Sequence, residues 1–391
     1  MNILMLSHSS VNNAYQKRLT TIANHDSIKL TVIVPKSYYE GRLLKSKKVS
    51  DYYNFIRLHA FFSKTGRQHL HFYSPFSLYK IIKMTKAEII HLDEEPQSFI
   101  SFLTIFLARL ISKNTKFILY TAVNIFKTHK EWSYFSLQRY LYPLWEKYSL
   151  DHSDAILACN HEAIDIFNKK GFKRKIYYVP LTIDENVFKK KDCYYLKAKL
   201  KLNYFTIGFV GKIEIKKGLA TLFKALRLIY KKYTLIIIGE GPDKELLVNL
   251  SKQLNMQENI LWLGFVNMPQ LPDYYSCMDV LIVPSETTTE WKEQFGRVII
   301  EAMACEIPVI GSSSGEIPNV IGDTGLIFEE GNEKDLAGKI SILMDNSELR
   351  QKLSEAGRKR VLENFTNKRI SEMFFSVYNE ILSNNENKVN D

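Results

Sequence analysis

The chain has 391 residues, 46% of them hydrophobic, which is enough for two domains with real cores and excludes a disordered chain. Its formal net charge of +11 is split: residues 1–190 carry 28 Lys and Arg against 15 Asp and Glu, a net of +13, and residues 191–391 carry 25 against 27, a net of −2. Four widely spaced cysteines (Cys159, Cys193, Cys277, Cys305) include no C-x-x-C pair, which argues against a zinc site or disulfide framework and fits a reducing compartment.

Asn2 to Ser7 reads as a buried strand, without the basic start and long apolar core of a signal peptide. His8 to Asn13 is a polar loop, and Ala14 to Ala23 has a helical pattern. Further strands are predicted at Lys29 to Val34, Phe55 to Phe62, Glu88 to Asp93, Lys116 to Ala122 and Ala155 to Cys159. Helical patterns separate most of them, so a parallel sheet covered on both faces is expected. The apolar run Phe99 to Ala108 is interrupted by Arg109 and reads as a buried helix in preference to one lying on a membrane. No run of about 18 apolar residues is present to span a bilayer. The first loop lacks G-x-G-x-x-G, so this half is not expected to hold a nicotinamide or flavin. Asp93, Glu94 and Glu95 follow a strand directly and make either a polar site wall or a charged turn.

Glu185 to Asn203 is a lysine-rich connector in which the domain boundary is placed. Thr206 to Val210 then reads as a strand leading into Gly211-Lys212-Ile213-Glu214-Ile215-Lys216-Lys217-Gly218. Two cations beside a helix N-terminus suit a diphosphate; ordinary surface lysines are the bland alternative. Leu235 to Ile238 and Ile260 to Leu263 are the next strands, the second followed by Gly264-Phe265-Val266, and Leu271 to Met278 is a helix. The strand Val280 to Val283 ends at Pro284 and opens a polar loop containing Glu293, Gln294, Phe295 and Gly296. A helical run with Glu301 follows, then the strand Pro308 to Gly311. Open α/β sheets bind ligands at the carboxyl ends of their strands, which is where this loop lies. Glu293 and Glu301 read either as ligand-binding carboxylates or as a cap and a solvated helix residue. Thr366 to Leu382 forms a last amphipathic helix with Ile370, Phe374, Val377, Tyr378 and Ile381 on one stripe.

The order Glu293-Gln294-Phe295-Gly296 and then Glu301 resembles the E-x-F-G-x-x-x-x-E signature of family-4 retaining glycosyltransferases (glycosyl transferases group 1), which have the GT-B fold. The resemblance continues through Glu301 to Cys305, Ile307 to Ile310, Gly315 to Pro318 and Gly325 to Phe328, roughly forty residues in order. Lys217-Gly218 matches the family's G-R-x-x-x-x-K-G, with Lys212 in place of Arg, which keeps charge but loses the bidentate fork. His91 to Pro96 resembles an H-x-x-E-E-P stretch of one branch. Thr121-Ala122-Val123-Asn124 stands where many members have Thr-x-His-Asp, so the usual histidine is missing there. Val179-Pro180 and Asp184 keep the outline of the hinge.

The resemblance implies an α/β protein of GT-B type: two doubly wound, Rossmann-like domains facing across a cleft. Residues 1–185 are the expected acceptor-binding domain and 204–365 the nucleotide-sugar-binding domain, with 366–391 a helix crossing back to the first. The expected function is retaining transfer of a sugar, of hexosyl type, from a nucleotide-diphospho-sugar to a lipid-linked or polysaccharide acceptor in cell-envelope glycan synthesis. The rivals are a nucleotide-sugar epimerase of the same fold and a non-catalytic sugar-nucleotide-binding scaffold. Glu293, Lys217 and Lys212 are the catalytic candidates. Glu301, Phe295, Gly296, Gln294, Gly211 and Val266 are the donor-binding candidates, and His8, Asp93, Glu94, Glu95 and Asn124 the acceptor-side candidates. No cofactor and no essential metal are expected, since no D-x-D pair occurs. The basic first half, without a recognition module for nucleic acid, points to an anionic membrane surface as a partner. Arg42, Lys45, Lys47, Lys48 and the run Phe61 to Arg67 are candidate contacts, and the expected place is cytoplasmic, at the inner face of the plasma membrane.

Overall fold

A computed structural model describes residues 1–39, 43–66, 68–126 and 138–386. The chain forms two compact units, Met1–Pro180 with Asn367–Asp391, and Leu181–Thr366. Each is built on a parallel sheet, for a reason visible in the strands. Nearly every residue of the inner strands is apolar, so both faces must be covered.

In the first unit the sheet comprises β1 (Asn2–Ser7), β2 (Lys29–Pro35), β3 (Asn54–Leu58), β4 (Ile89–Asp93), β5 (Lys116–Thr121), β6 (Ala155–Ala158) and β7 (Lys175–Tyr178). Their order is β7-β6-β5-β4-β1-β2-β3. Strand order reverses between β1 and β4, which pair directly, with Ser7 beside Asp93. The third strand is shorter than its apolar run. It ends at Leu58, and Ala60–Phe61 pairs antiparallel with Phe72–Tyr73. Phe62 takes φ 58°, which bends the chain away from the sheet edge and sets Phe61 over Phe72. The helix Phe99–Ile111 is capped by Ser98, buries Ile100, Ile105 and Ala108, and at 13 residues is too short to cross a bilayer. No described helix is long and apolar enough to do so. The last helix, Asn367–Glu386, belongs to this unit and buries the stripe Ile370, Phe374, Val377, Tyr378 and Ile381.

The second unit's sheet comprises β8 (Phe205–Val210), β9 (Tyr233–Ile238), β10 (Ile260–Gly264), β11 (Val280–Val283), β12 (Val309–Ser312) and β13 (Leu326–Phe328). The order β10-β9-β8-β11-β12-β13 reverses between β8 and β11. The unit begins at Leu181, ahead of the lysine-rich connector in which the sequence placed the boundary. Three apolar anchors, one just ahead of the connector and two within it, explain this. Ile183, Phe188 and Leu202 are all buried in the second unit's core, and the Lys191 N–H donates to Ser276 Oγ at 3.0 Å.

The two loops flanking the β8/β11 reversal touch at Gly218. This residue has φ 73° and starts the helix Leu219–Arg227, and a Cβ on it would lie 1.7 Å from the Pro284 carbonyl oxygen. Left-handed backbone and close approach both demand glycine. Gly218→Ala is expected to lose about 1–3 kcal/mol of stability in denaturant unfolding. Gly338, exposed inside the helix Glu333–Asp345 with nothing near its missing Cβ, gives the contrast: Gly338→Ala is expected to gain about 0.5–1 kcal/mol in the same measurement.

Candidate functional site

In a doubly wound sheet the loops on the two sides of the strand-order reversal separate and leave room for a ligand at the carboxyl end. Each unit carries its polar cluster at that point.

In the second unit the loop after β8 supplies Lys217, at the end of a short 3-10 turn, Ile215–Lys217. The loop after β11 supplies Ser285 and Glu293. Lys217 Nζ lies 2.7 Å from Glu293 Oε2, and Ser285 Oγ donates to the same oxygen at 2.8 Å. Lys217 Nζ also sits 4.5 Å from the centre of the Trp291 ring, with Lys216 Nζ at 5.0 Å. Glu293 is therefore not a helix cap; it closes an ion pair between the two loops. Phe295 is buried and faces Phe365 edge-on at 5.9 Å, which anchors the loop at its far end. Gly296, at φ 76°, turns the chain into the helix Arg297–Ala304.

Glu301 lies on the buried side of that helix and is only 4% exposed. Tyr275 Oη donates to its Oε2 at 2.9 Å, and Arg297, one turn earlier, is 3.1 Å from Oε1. Burial pushes the Glu301 carboxyl up, and Arg297 and Tyr275 oppose it without cancelling it. Glu301 is thus no solvated helix residue. Gln294 is exposed; Val266 is half-buried just past β10, and Gly211 immediately follows β8. Lys212 is not drawn into the Lys217–Glu293 pair. It turns to Glu214, as does Lys216 at 3.0 Å, and although burial raises the Glu214 carboxyl these two ammoniums hold it below its usual range.

In the first unit Asp93, Glu94 and Glu95 point inward, so the exposed charged turn is not what forms. Asp93 Oδ2 accepts from Ser7 Oγ at 2.6 Å, Ser9 Oγ at 2.8 Å and the Arg18 guanidinium at 2.8 Å. Glu94, 3% exposed, takes the His8 backbone N–H at 3.0 Å on Oε1, and its Oε2 lies 2.7 Å from His8 Nδ1. His71 Nε2 is 3.6 Å from Oε1. Burial by itself would raise the Glu94 carboxyl, but the His8 and His71 imidazoles pull it down to about 2. Glu95 accepts from Thr121 Oγ1 at 2.6 Å and the Ala122 N–H at 2.9 Å, yet burial keeps it raised. Asn124 is buried nearby in sequence to these partners. His8, Tyr38 and His71 pack ring against ring at 4.9–5.7 Å, so the Glu94 carboxylate sits under an aromatic cap.

Several of these residues escaped the sequence reading. Tyr275 and Ser285 are ordinary residues whose roles come from the strand reversal. Arg297 carries a signal, since an Arg four residues before a helical Glu on one face pairs with it. Arg18 and His71 lie 75 and 23 residues from their partners Asp93 and Glu94, and nothing local marks them.

Two parallel sheets with reversed strand order, each with its polar cluster at the reversal, define an α/β protein of the GT-B class. Residues 196–360 match the family described as glycosyl transferases group 1. The chain is 28% identical over 248 residues to N-acetyl-alpha-D-glucosaminyl L-malate synthase of Bacillus anthracis, covering 62% of this chain and 63% of that protein. It is 33% identical over 225 residues to the capsular polysaccharide biosynthesis glycosyltransferase CapM of Staphylococcus aureus, covering 56% of each. The matches thus span less than two thirds of the length of these relatives. Among solved structures, sucrose-phosphate synthase from Thermosynechococcus elongatus superposes with a TM-score of 0.73 at 18% identity, covering 97% of this chain and 99% of that one. Anabaena HepE in complex with UDP gives 0.72 at 16%, covering 97% and 100%.

The Glu94 carboxyl is lower in the folded chain than in the unfolded one, so its contribution to stability is present above the unfolded value of about 4.5 and is lost as pH falls toward 2. Glu94→Gln is expected to cost about 3 kcal/mol at pH 7, and the wild-type and variant unfolding curves should converge as pH falls from 5 to 2. Thermal unfolding across that range checks it; a constant gap at every pH would show that the carboxylate charge is not what holds this cluster.

Proposed function

We propose that the protein is a retaining glycosyltransferase that moves a sugar from a nucleotide-diphospho-sugar onto a lipid-linked or polysaccharide acceptor in glycan assembly. The observation that carries this reading is the Lys217–Glu293–Ser285 cluster at the β8/β11 reversal, with Glu301 buried on the adjoining helix. That cluster supplies a cation, an orienting carboxylate and a second carboxyl set deeper in, which are the groups a sugar diphosphate requires. The relative named for capsular polysaccharide biosynthesis supports a glycan product, and the HepE structure with UDP-glucose supports a nucleotide-sugar donor.

In this reading Glu301 takes the ribose hydroxyls, exchanging the Tyr275 hydroxyl or the Arg297 guanidinium for them. Glu293 orients the donor sugar. The N–H groups after Phe295 and Gly296 meet the diphosphate at a helix start. Lys217, paired with Glu293, swings its charge onto the departing diphosphate, and Lys212 adds a second positive charge by leaving Glu214. Neutralising that leaving group is the largest electrostatic contribution in such chemistry. Gln294, Gly211 and Val266 line the donor's path, Val266 through its backbone. The first unit handles the acceptor: His8, set by Glu94 through Nδ1, and Asp93, Glu95 and Asn124 build the wall against which it lies. No metal takes part.

Calorimetric titration of UDP and measurement of UDP release from UDP-sugars test the donor half. Glu301→Ala is expected to weaken UDP by about tenfold or more, since a hydrogen bond to a charged group is worth about 1.5–3 kcal/mol. Glu293→Ala should lower turnover far more than affinity. Wild-type release by both variants, or no UDP-sugar binding at all, would refute the reading.

Lys217→Ala is expected to lower affinity for UDP, while Lys212→Arg retains or improves it, because guanidinium grips a phosphate with two parallel bonds. Unchanged affinity in Lys217→Ala and Lys212→Ala alike would make both lysines ordinary surface charges.

A further inference from the structure

The polar loop after β11 is fastened at its start. The Glu286 N–H donates to the Lys216 carbonyl at 2.8 Å, and the Thr287 hydroxyl donates to Glu330 Oε2 at 2.9 Å. The chain then closes on itself. The Thr288 N–H donates to the Trp291 carbonyl at 2.7 Å, and the Trp291 and Glu290 N–H groups both donate to Thr288 Oγ1, at 3.0 and 3.3 Å. This four-residue turn satisfies the Trp291 backbone inside the loop and fixes where its side chain leaves it. The half-buried ring lies against two ammoniums of the loop after β8: Lys217 Nζ is 4.5 Å and Lys216 Nζ 5.0 Å from its centre. Both are within the range at which a ring face attracts a cation.

Two like charges on neighbouring residues repel, and each is a point charge on a flexible stem. Acids hold them one at a time: Lys216 Nζ is 3.0 Å from Glu214 and Lys217 Nζ 2.7 Å from Glu293. Trp291 meets both. A ring face attracts an ammonium without taking one of its three N–H donors in a conventional hydrogen bond, so those donors stay free to turn to oxygen acceptors. Lys212 carries no guanidinium fork and turns to Glu214, so this loop grips no phosphate with two parallel bonds. Two ammoniums gathered on one ring give it separate donors for two phosphates instead. The basic stretches of the first unit considered above for a membrane surface differ: Lys48 pairs singly with Asp51 at 2.7 Å, and Arg42 and Arg67 lie outside the described residues.

We propose that Trp291 is a positioning residue that sets Lys216 and Lys217 as the two arms of a diphosphate clamp. The inference rests on the proposed function for the nucleoside and the sugar, and on the ring and its two ammoniums for the diphosphate. Trp291 touches no reacting atom in it and acts through the lysines. The ring favours both ammoniums in one place, so the two cations are brought together before the diphosphate arrives and binding does not have to order them. Lys216 thereby gains a role in the donor site beside Lys217.

Calorimetric titration of the full chain with pyrophosphate, UDP and UMP tests it. Trp291→Leu keeps an apolar side chain without a ring, and is expected to weaken pyrophosphate and UDP about fivefold while changing UMP by less than about twofold. Trp291→Phe keeps a ring face and should stay within about twofold of the wild type for all three ligands. Lys216→Ala should weaken UDP about as much as Trp291→Leu does, and the double variant Lys216→Ala/Trp291→Leu should lose less than the product of the two single losses, because both act through one ammonium. A loss in Trp291→Phe as large as in Trp291→Leu would assign the effect to the shape of the loop and overturn the proposal, and so would an equal loss of UDP and UMP. UDP bound with undiminished affinity by Trp291→Leu and Lys216→Ala would strike the clamp and leave the glycosyltransferase reading standing. Pyrophosphate bound through Trp291 and Lys216 by a chain that binds no UDP would strike that reading and leave the clamp standing. A wild type that binds neither overturns both.

Discussion

The second unit depends on one ion pair made between loops that leave its sheet on opposite sides. Lys217 belongs to the loop after β8 and Glu293 to the loop after β11, and the two strands are neighbours only because strand order reverses there. Without a ligand, an uncompensated Lys or Glu at this depth would be costly, since both side chains are mostly shielded from water. Each therefore neutralises the other. Ser285 Oγ and the Trp291 face hold the two groups in place.

The first unit solves the same geometric problem with different chemistry. Its reversal lies between β1 and β4, and again the polar groups of the two following loops meet. Here the pairing is between carboxylates and imidazole, hydroxyl and guanidinium groups. Asp93 is saturated by Ser7, Ser9 and Arg18, so it fixes the loop that carries His8 and leaves Glu94 to act on the ring itself. Arg18 is in turn stacked near Tyr120 and Phe374 at 5.8–5.9 Å, which ties the last helix to the loop after β1. His91, on β4, completes that tie through Tyr378 Oη at 2.6 Å, and burial keeps its ring neutral, with its pKa lowered to about 4. Packing, not proximity in sequence, thus sets the His8 orientation.

What the sequence makes legible follows from the range of each interaction. The alternation of apolar strands and amphipathic helices is local, and it yields both sheets and nearly every strand position. The spacing of Glu293, Gly296 and Glu301 is local as well, so the loop and helix that hold them can be read directly. Strand order is not local, and so Lys217–Glu293, 76 residues apart, appears only as two separate motifs. The third strand reads as running to Phe62, beyond its end at Leu58, because Phe61 and Phe62 are aromatic and β-prone. A hairpin with residues 72–73 claims them instead, and no propensity scale sees that pairing. The connector reads as a boundary because its lysines mask Phe188 and Leu202, whose burial, like that of Ile183 just ahead of it, is decided by a distant core.

Glu301 and Glu94 show how one residue type is set to opposite tasks by its neighbours. Both are buried carboxyls, and burial raises both. Glu94 faces two imidazoles that become more favourable as it ionises, so its charge is fixed early and outlasts acid conditions. Glu301 faces a phenol and one guanidinium, which compensate less than burial costs, so its proton is held more tightly than usual. A carboxylate whose neighbours compensate less than burial costs gains more from an added hydrogen-bond donor than a fully compensated one would. In the proposed reading this difference divides the labour: Glu94 holds a ring in position, and Glu301, already taking Tyr275 and facing Arg297, has lone pairs left for a ligand. Glu95 is raised by burial like Glu301, and its two partners are neutral, the Thr121 hydroxyl and the Ala122 N–H, where Glu301 faces a guanidinium.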